Sequence, residues 1–323
     1  MVKKPTVIST FAGCGGSSLG YKLAGFHELL AIEWDDNAVE TFRLNFPGIP
    51  VYHGDIIKLT GTECMRLAGI KAGELDVLDG SPPCQGFSMA GKRKFDDPRN
   101  SLFKEFVRLL KELQPQVFIM ENVTGMVKGC MKQAYLVIIK TLRDCGYQVK
   151  GEILNAMYFN VPQSRERVII IGVRNDLGIE PSHPKPQTKP ITVREAFKGC
   201  ENSNPNYLKS GEVMHIIKNM HQGEVGSDAS KRLTGNKNKW FNMRRLDWNK
   251  TGFTITKAEG SSALVHPELD RVLNISEYKR IASYPDEFMF SGKYAEQKSR
   301  IGNSVPPNLM RAIAEHIRKK FLP

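Results

Sequence analysis

The sequence predicts an α/β fold, a mostly parallel doubly wound sheet, followed by a smaller irregular region. Three observations carry this. Short β-branched or apolar runs alternate with helix-periodic segments up to residue 171, the first run ends in a glycine-rich turn, and the alternation stops after Arg174.

The strand-like runs are residues 6–10, 29–33, 76–78, 117–120 and 168–171. Between them, residues 102–113 place Leu102, Phe103, Phe106, Leu109, Leu110 and Leu113 at helical spacing, and residues 135–142 form the next amphipathic segment. Strands separated by helices need right-handed crossovers, so the sheet should be covered on both faces. Residues 175–210 are rich in Pro, Ser, Asn and Lys, and regular alternation is not expected again before Asn274.

Composition narrows the class. The 323 residues are 41% hydrophobic and 25% charged, the balance of a folded water-soluble chain. No apolar run reaches membrane-spanning length and the first residues do not read as a signal peptide, so a cytoplasmic protein is expected. The six cysteines form no C-x-x-C pairs, which indicates neither a zinc site nor a disulfide framework. The net charge of +12 is concentrated late: residues 231–257 hold Lys231, Arg232, Lys237, Lys239, Arg244, Arg245, Lys250 and Lys257 against Asp247 alone, with Trp240, Phe241, Trp248 and Phe253 interleaved. Cations among aromatics suit a surface that neutralises phosphates and touches bases; a solvated basic face has the same composition.

Six motifs carry chemistry. The first strand runs into Phe11-Ala12-Gly13-Cys14-Gly15-Gly16, where glycines permit close backbone approach to a ligand at a helix N-terminus. The second ends in Glu33-Trp34-Asp35, placing a carboxylate where ribose hydroxyls can donate to it. Spacing alone leaves a dinucleotide and another adenosine cofactor open, although Ser18 stands where a dinucleotide fingerprint has its third glycine. Gly54-Asp55-Ile56 follows, an acid in a turn that can accept from an adenine amino group.

The fourth motif, Gly80-Ser81-Pro82-Pro83-Cys84-Gln85-Gly86-Phe87-Ser88, sets one cysteine on a stiff loop at a strand end, a suitable place for a thiolate nucleophile. Glu121-Asn122-Val123 ends the fourth predicted strand, so Glu121 and Cys84 share the sheet's carboxyl edge. Last, Gln163-Ser164-Arg165-Glu166-Arg167 sets two arginines at i and i+2, on one face if extended, able to hold a carbonyl oxygen or a phosphate.

Together with Gly302-Asn303-Ser304-Val305-Pro306-Pro307, these motifs in this order make the chain resemble the DNA (cytosine-5) methyltransferases of the compact bacterial or phage kind, over nearly its whole length. One departure is local: residues 279–288 read Lys-Arg-Ile-Ala-Ser-Tyr-Pro-Asp-Glu-Phe where many members have Leu-x-Gly-Phe-Pro.

The resemblance implies a Rossmann-like domain using S-adenosylmethionine, formed by residues 1–181 and 300–323, and a target-recognition domain at 182–299. It implies that the cofactor lies over Phe11, Ala12, Gly13, Cys14 and Gly16, with Glu33 on the ribose, Trp34 against the adenine, Asp55 on its amino group and Ile56 beside it. Gly80, Pro82, Leu102, Asn303, Ser304 and Val305 would close that pocket. Cys84 would add to C6 of a flipped-out cytosine, Glu121 would act at N3 and Arg167 at O2, while Arg165 joins this catalytic group by supporting the loop or a phosphate.

Double-stranded DNA is then the partner, met by Gln85, Ser88, Lys92, Arg93, Lys237, Lys239, Trp240, Arg244 and Arg245. No metal is implied, a monomer is expected, and a cognate restriction endonuclease would act separately. A transfer-RNA cytosine-5 methyltransferase shares the fold, but that branch has Gln-Pro-Phe where this chain has Gln85-Gly86-Phe87. A non-catalytic DNA-binding module would have no use for Cys84, Glu121 and a full cofactor set.

Overall fold

The computed structural model describes residues 3–83, 101–127, 132–200, 211–235, 242–257 and 263–322. The chain divides into two compact units: residues 1–155, 166–185 and 310–323, and residues 156–165 and 186–309.

The first unit begins β1 (Thr6–Thr10), α1 (Gly16–Leu23), β2 (His27–Glu33), α2 (Asp36–Asn45), β3 (Val51–His53), α3 (Gly61–Ala68) and β4 (Val77–Gly80). It continues α4 (Ser101–Leu113), β5 (Val117–Val123), α5 (Lys132–Arg143), β6 (Tyr147–Asn155) and β7 (Glu166–Arg174). Strand order is β3-β2-β1-β4-β5-β7-β6. The first five strands are parallel, while β7 runs antiparallel to both of its neighbours.

The sheet is mostly parallel, as the alternation of runs predicts. Two strands lie outside the predicted set. β3 has only three residues, too few for a pattern, and β6 is an edge strand whose mixed burial reads as neither alternation nor a continuous apolar run. The five predicted strands are those whose side chains are almost wholly buried.

The core sits between sheet and helices. α4 turns Phe103, Phe106, Leu109, Leu110 and Leu113 inward against Leu78 and Phe118. Phe118 meets Phe106 edge-on at 6.1 Å and Tyr147 at 5.2 Å. A Cβ at Gly172 would come within 1.9 Å of the Phe118 ring, so β7 admits no side chain there.

The second unit holds α6 (Val193–Ala196), α7 (Gly211–Asn219), α8 (Gly226–Thr234), β8 (Arg244–Arg245), β9 (Leu264–Val265), α9 (Ile275–Ile281) and α10 (Tyr294–Asn303); α11 (Pro307–Lys320) begins there and ends in the first unit. Regular structure therefore returns earlier than Asn274. Its helices are short, which is why composition masked them: α7 and α8 have nine residues each. They bury Ile216, Ile217 and Ala229 with Met243 and Val265 as a core of their own. Against the expected boundaries, residues 156–165 and 300–309 pack with this unit. Among the described residues no helix is long and apolar enough to cross a membrane.

Candidate active site

The carboxyl ends of β1 and β2 are tied together by one side chain. Glu33 accepts from Gly13 N at 2.8 Å through one oxygen, and from Trp34 N at 2.8 Å and Asp35 N at 3.0 Å through the other. A carboxylate offers about four lone-pair directions, so one remains for a ligand hydroxyl. Glu33 thus builds the turn that it is expected to serve.

The turn is left-handed at Phe11 (φ 55°), Gly13 (φ 56°) and Gly15 (φ 92°). A positive φ on a phenylalanine costs energy, and such outliers gather at ligand sites. At Gly13 a side chain would meet nothing within 4 Å, so the backbone there faces open space. Trp34 is 74% exposed, a large aromatic face at the sheet's carboxyl edge. Asp55 is exposed too, and one of its oxygens caps Ile57 N at 3.0 Å. Open glycine backbone, a carboxylate with one acceptor direction left and an uncovered indole fit an adenosine-bearing cofactor.

Other expected cofactor residues are interior. Ala12, Cys14, Gly16 and Ile56 are buried, and the Ile56 side chain belongs to the core, leaving backbone alone to meet a ligand. Gly80 is required by packing, because a Cβ there would lie 2.3 Å from Thr10 Oγ1 and 2.8 Å from the Phe106 ring. Leu102 is half-buried against the core. Asn303, Ser304 and Val305 lie in the second unit, where the Ser304 hydroxyl bonds the Tyr284 hydroxyl.

Glu121 and Arg167 form an ion pair of 2.8 Å with side chains only 11% and 13% exposed. Arg167 lies opposite Val123 in the β5–β7 ladder, so Glu121 is its diagonal neighbour on the same face. Asn122 faces the other way and donates to Pro82 O at 3.0 Å, pinning the chain two residues before Cys84. Reading the motif for its acid alone passed over Asn122; an amide beside a strand-end acid was the available signal.

Arg165 departs from a catalytic placement. It is 2% exposed and donates to the carbonyls of Ile255 (2.9 Å), Gly302 (2.9 Å) and Ser304 (3.1 Å). Gln163 joins it by accepting from Ile255 N at 3.1 Å. These side chains brace the second unit from inside.

Arg245 departs from the expected DNA surface for the same reason. It is 4% exposed, pairs with Asp270 at 2.9 Å and donates to the Ile217 carbonyl. Its neighbour Arg244 lies with its guanidinium 5.0 Å from the Phe253 ring centroid. Cys84, Gln85, Ser88, Lys92, Arg93, Lys237, Lys239 and Trp240 lie outside the described residues.

Comparison with known proteins bears on all of this. The family model for the C-5 cytosine-specific DNA methylase matches residues 5–319. The chain is 36% identical to the type II methyltransferase M1.HphI of Haemophilus parahaemolyticus, covering 97% of this chain and 87% of that one. It is 34% identical to M.Eco47II of Escherichia coli, covering 97% and 78%. Among solved structures, Schizosaccharomyces pombe Dnmt2 methyltransferase superposes with a TM-score of 0.70 at 18% identity, over 98% of this chain and 99% of that one, which speaks for the fold.

Proposed function

The chain belongs to the C-5 cytosine-specific DNA methylase family, and on that premise we propose that it methylates C5 of a flipped-out cytosine at a specific site in double-stranded DNA, drawing the methyl group from S-adenosylmethionine. The observation that carries the reading is the buried pair of Arg167 on β7 with Glu121 on β5, the strand whose Asn122 holds Pro82, two residues before Cys84. An acid and a cation are thereby set on the sheet edge from which the chain at Pro82 leads on to Cys84.

The chemistry follows from the ring. Cytosine C5 is too poor a nucleophile to take a methyl group unaided. The Cys84 thiolate bonds to C6, and the C5–C6 π electrons become available at C5. Glu121 hydrogen-bonds N3, where negative charge would otherwise accumulate, and Arg167 holds both O2 and the Glu121 carboxylate. C5 then bonds to the methyl carbon as the methyl–sulfur bond breaks and its electron pair stays on sulfur, leaving S-adenosylhomocysteine; a base removes the C5 proton, and those electrons re-form the C5–C6 double bond and expel Cys84 as thiolate. When bound, S-adenosylmethionine supplies an electrophilic methyl carbon. The chain's part is to orient it, through Glu33 on the ribose, Trp34 against the base and Asp55 on the amino group.

The relatives are type II methyltransferases, which supports modification beside a separate restriction endonuclease; a monomer acting in the cytoplasm is part of the proposal. Residues 182–299 would read the DNA. The test is methyl-labelled cofactor with duplex DNA or transfer RNA, followed by bisulfite mapping of the converted cytosines. Label at a fixed DNA sequence is expected; label in RNA alone would overturn the DNA reading. Cys84→Ala should abolish both methylation and trapping on 5-fluorocytosine DNA while cofactor affinity stays nearly unchanged.

A further inference from the structure

Beneath the glycine turn, wholly inside the first unit, lies a polar cluster that no step above uses. Glu28 on β2 and Asp79 on β4 are 6% and 3% exposed, and Ser9 on β1 and Tyr21 on α1 are fully buried. Ser18 donates to Glu28 Oε1 at 2.9 Å. Ser9 also lies beside Glu28, and Ser17 and Tyr21 lie beside Asp79. Yet Ser9 Oγ, Tyr21 OH, Glu28 Oε2 and Asp79 Oδ1 have no partner in hydrogen-bond geometry among the described residues.

Among the described residues, the charged groups that act on Asp79 are Glu28 and, from β5, Glu121, both acidic. Two carboxylates in an apolar interior without a cation cannot both stay ionised. Burial, then the Glu28 charge, pushes Asp79 up to about 8. Burial raises Glu28 to about 7 against the opposing influence of the nearby Ser9 and Ser18 hydroxyls, and holds the Tyr21 hydroxyl in its protonated form. A carboxyl that keeps its proton becomes a donor to the acceptor facing it.

We propose that Ser9, Tyr21, Glu28 and Asp79 form a buried proton-binding site whose occupancy governs cofactor affinity, by fixing α1 and β4 where both enter the ligand loops. The link is short. Thr10 Oγ1 donates to the Asp79 carbonyl at 2.9 Å, so the residue before Phe11 is fastened to the residue before Gly80. Gly80 packs against that same hydroxyl with no room for a methyl group. On the other side, α1 carries Ser17, Ser18 and Tyr21 directly after the turn at Gly13 and Gly15. Charge in the cluster therefore loosens the two segments that shape the turn.

The native state holds protons that the unfolded chain has released between the ordinary carboxylate range and the raised native values. Stability is thus greatest at low pH within this window and is lost as pH rises through about 7 to about 8.

The proposal rests on the reading that the glycine turn holds the cofactor, and two readouts separate the claims. Urea unfolding and calorimetric binding of S-adenosylhomocysteine are followed from about pH 6 to about pH 9 in the wild type, Asp79→Asn, Glu28→Gln and Tyr21→Phe. In the wild type both stability and affinity should fall with pH, affinity by up to about tenfold per unit for each coupled proton. Asp79→Asn should flatten both slopes, and Tyr21→Phe, which keeps the ring and both carboxyls, should shift their midpoint. Slopes in Asp79→Asn and Glu28→Gln equal to those of the wild type would overturn the site, and a flattened stability slope with an unchanged affinity slope would overturn its coupling to the cofactor. Failure of every form to bind S-adenosylhomocysteine would instead sink the functional reading.

Discussion

Glu121 and Arg167 sit at 2.8 Å behind a nearly closed surface, so removing either charge strands the other in low dielectric. Breaking such a pair costs about 3–5 kcal/mol of stability, whereas removing both charges together costs much less. Glu121→Gln should therefore lower the urea midpoint and reduce turnover by about 10²–10⁴ through loss of the group at N3. Adding Arg167→Met should restore much of the midpoint and none of the turnover. If turnover recovered together with stability, the pair would be structural and Glu121 would lose its place in the chemistry. Arg165 calls for the opposite expectation, because its guanidinium is spent on three internal carbonyls. Arg165→Met should cost about 2–4 kcal/mol in unfolding experiments, from orphaned buried acceptors, and leave turnover of the folded enzyme within about tenfold. A far larger loss of turnover at unchanged stability would put Arg165 at the reacting base.

At the scale of elements, what the sequence makes legible is what burial makes repetitive. β1, β5 and β7 are runs of residues that hardly touch solvent, and α4 keeps one apolar face for its whole length. Each leaves a local pattern. β3 is too short to leave one, and β6, at the sheet's edge, mixes Gly151, Lys150 and Ile153 in a single run. The glycine turn and its acid were legible for another reason: φ near +56° at Gly13 and a carboxylate shared by three backbone N–H groups constrain residue type at fixed spacing. Arginines defeat local reading. Arg165 finds its acceptors 90 to 139 residues away and Arg245 finds Asp270 25 residues on, so neither the i and i+2 spacing nor the density of positive charge could tell interior from surface. Glu28 and Asp79 escape a local reading in the same way, as single acids within apolar strands whose partner lies across the sheet.

For the whole molecule, the charge of +12 matters more to association than to fold. Each phosphate neutralised by a side chain releases condensed counterions, so affinity for DNA should fall steeply with salt. A protein meeting six to ten phosphates loses about 10³–10⁵ in affinity between about 50 mM and 200 mM salt, and filter binding or fluorescence anisotropy would show whether this chain does so. Adjacent arginines make the measurement discriminating. The Arg244 guanidinium stacks on Phe253 in a half-buried position, whereas that of Arg245 is enclosed and paired with Asp270. Arg244→Ala should reduce the slope of log affinity against log salt by about one, the signature of a single lost phosphate contact. Arg245→Ala should leave the slope of the folded protein unchanged and lower its unfolding midpoint, since the Asp270 carboxylate and the Ile217 carbonyl lose their donor. Equal slopes for the wild type and Arg244→Ala would remove Arg244 from the DNA-facing surface, and the basic charge there would then belong to the other cations of residues 231–257.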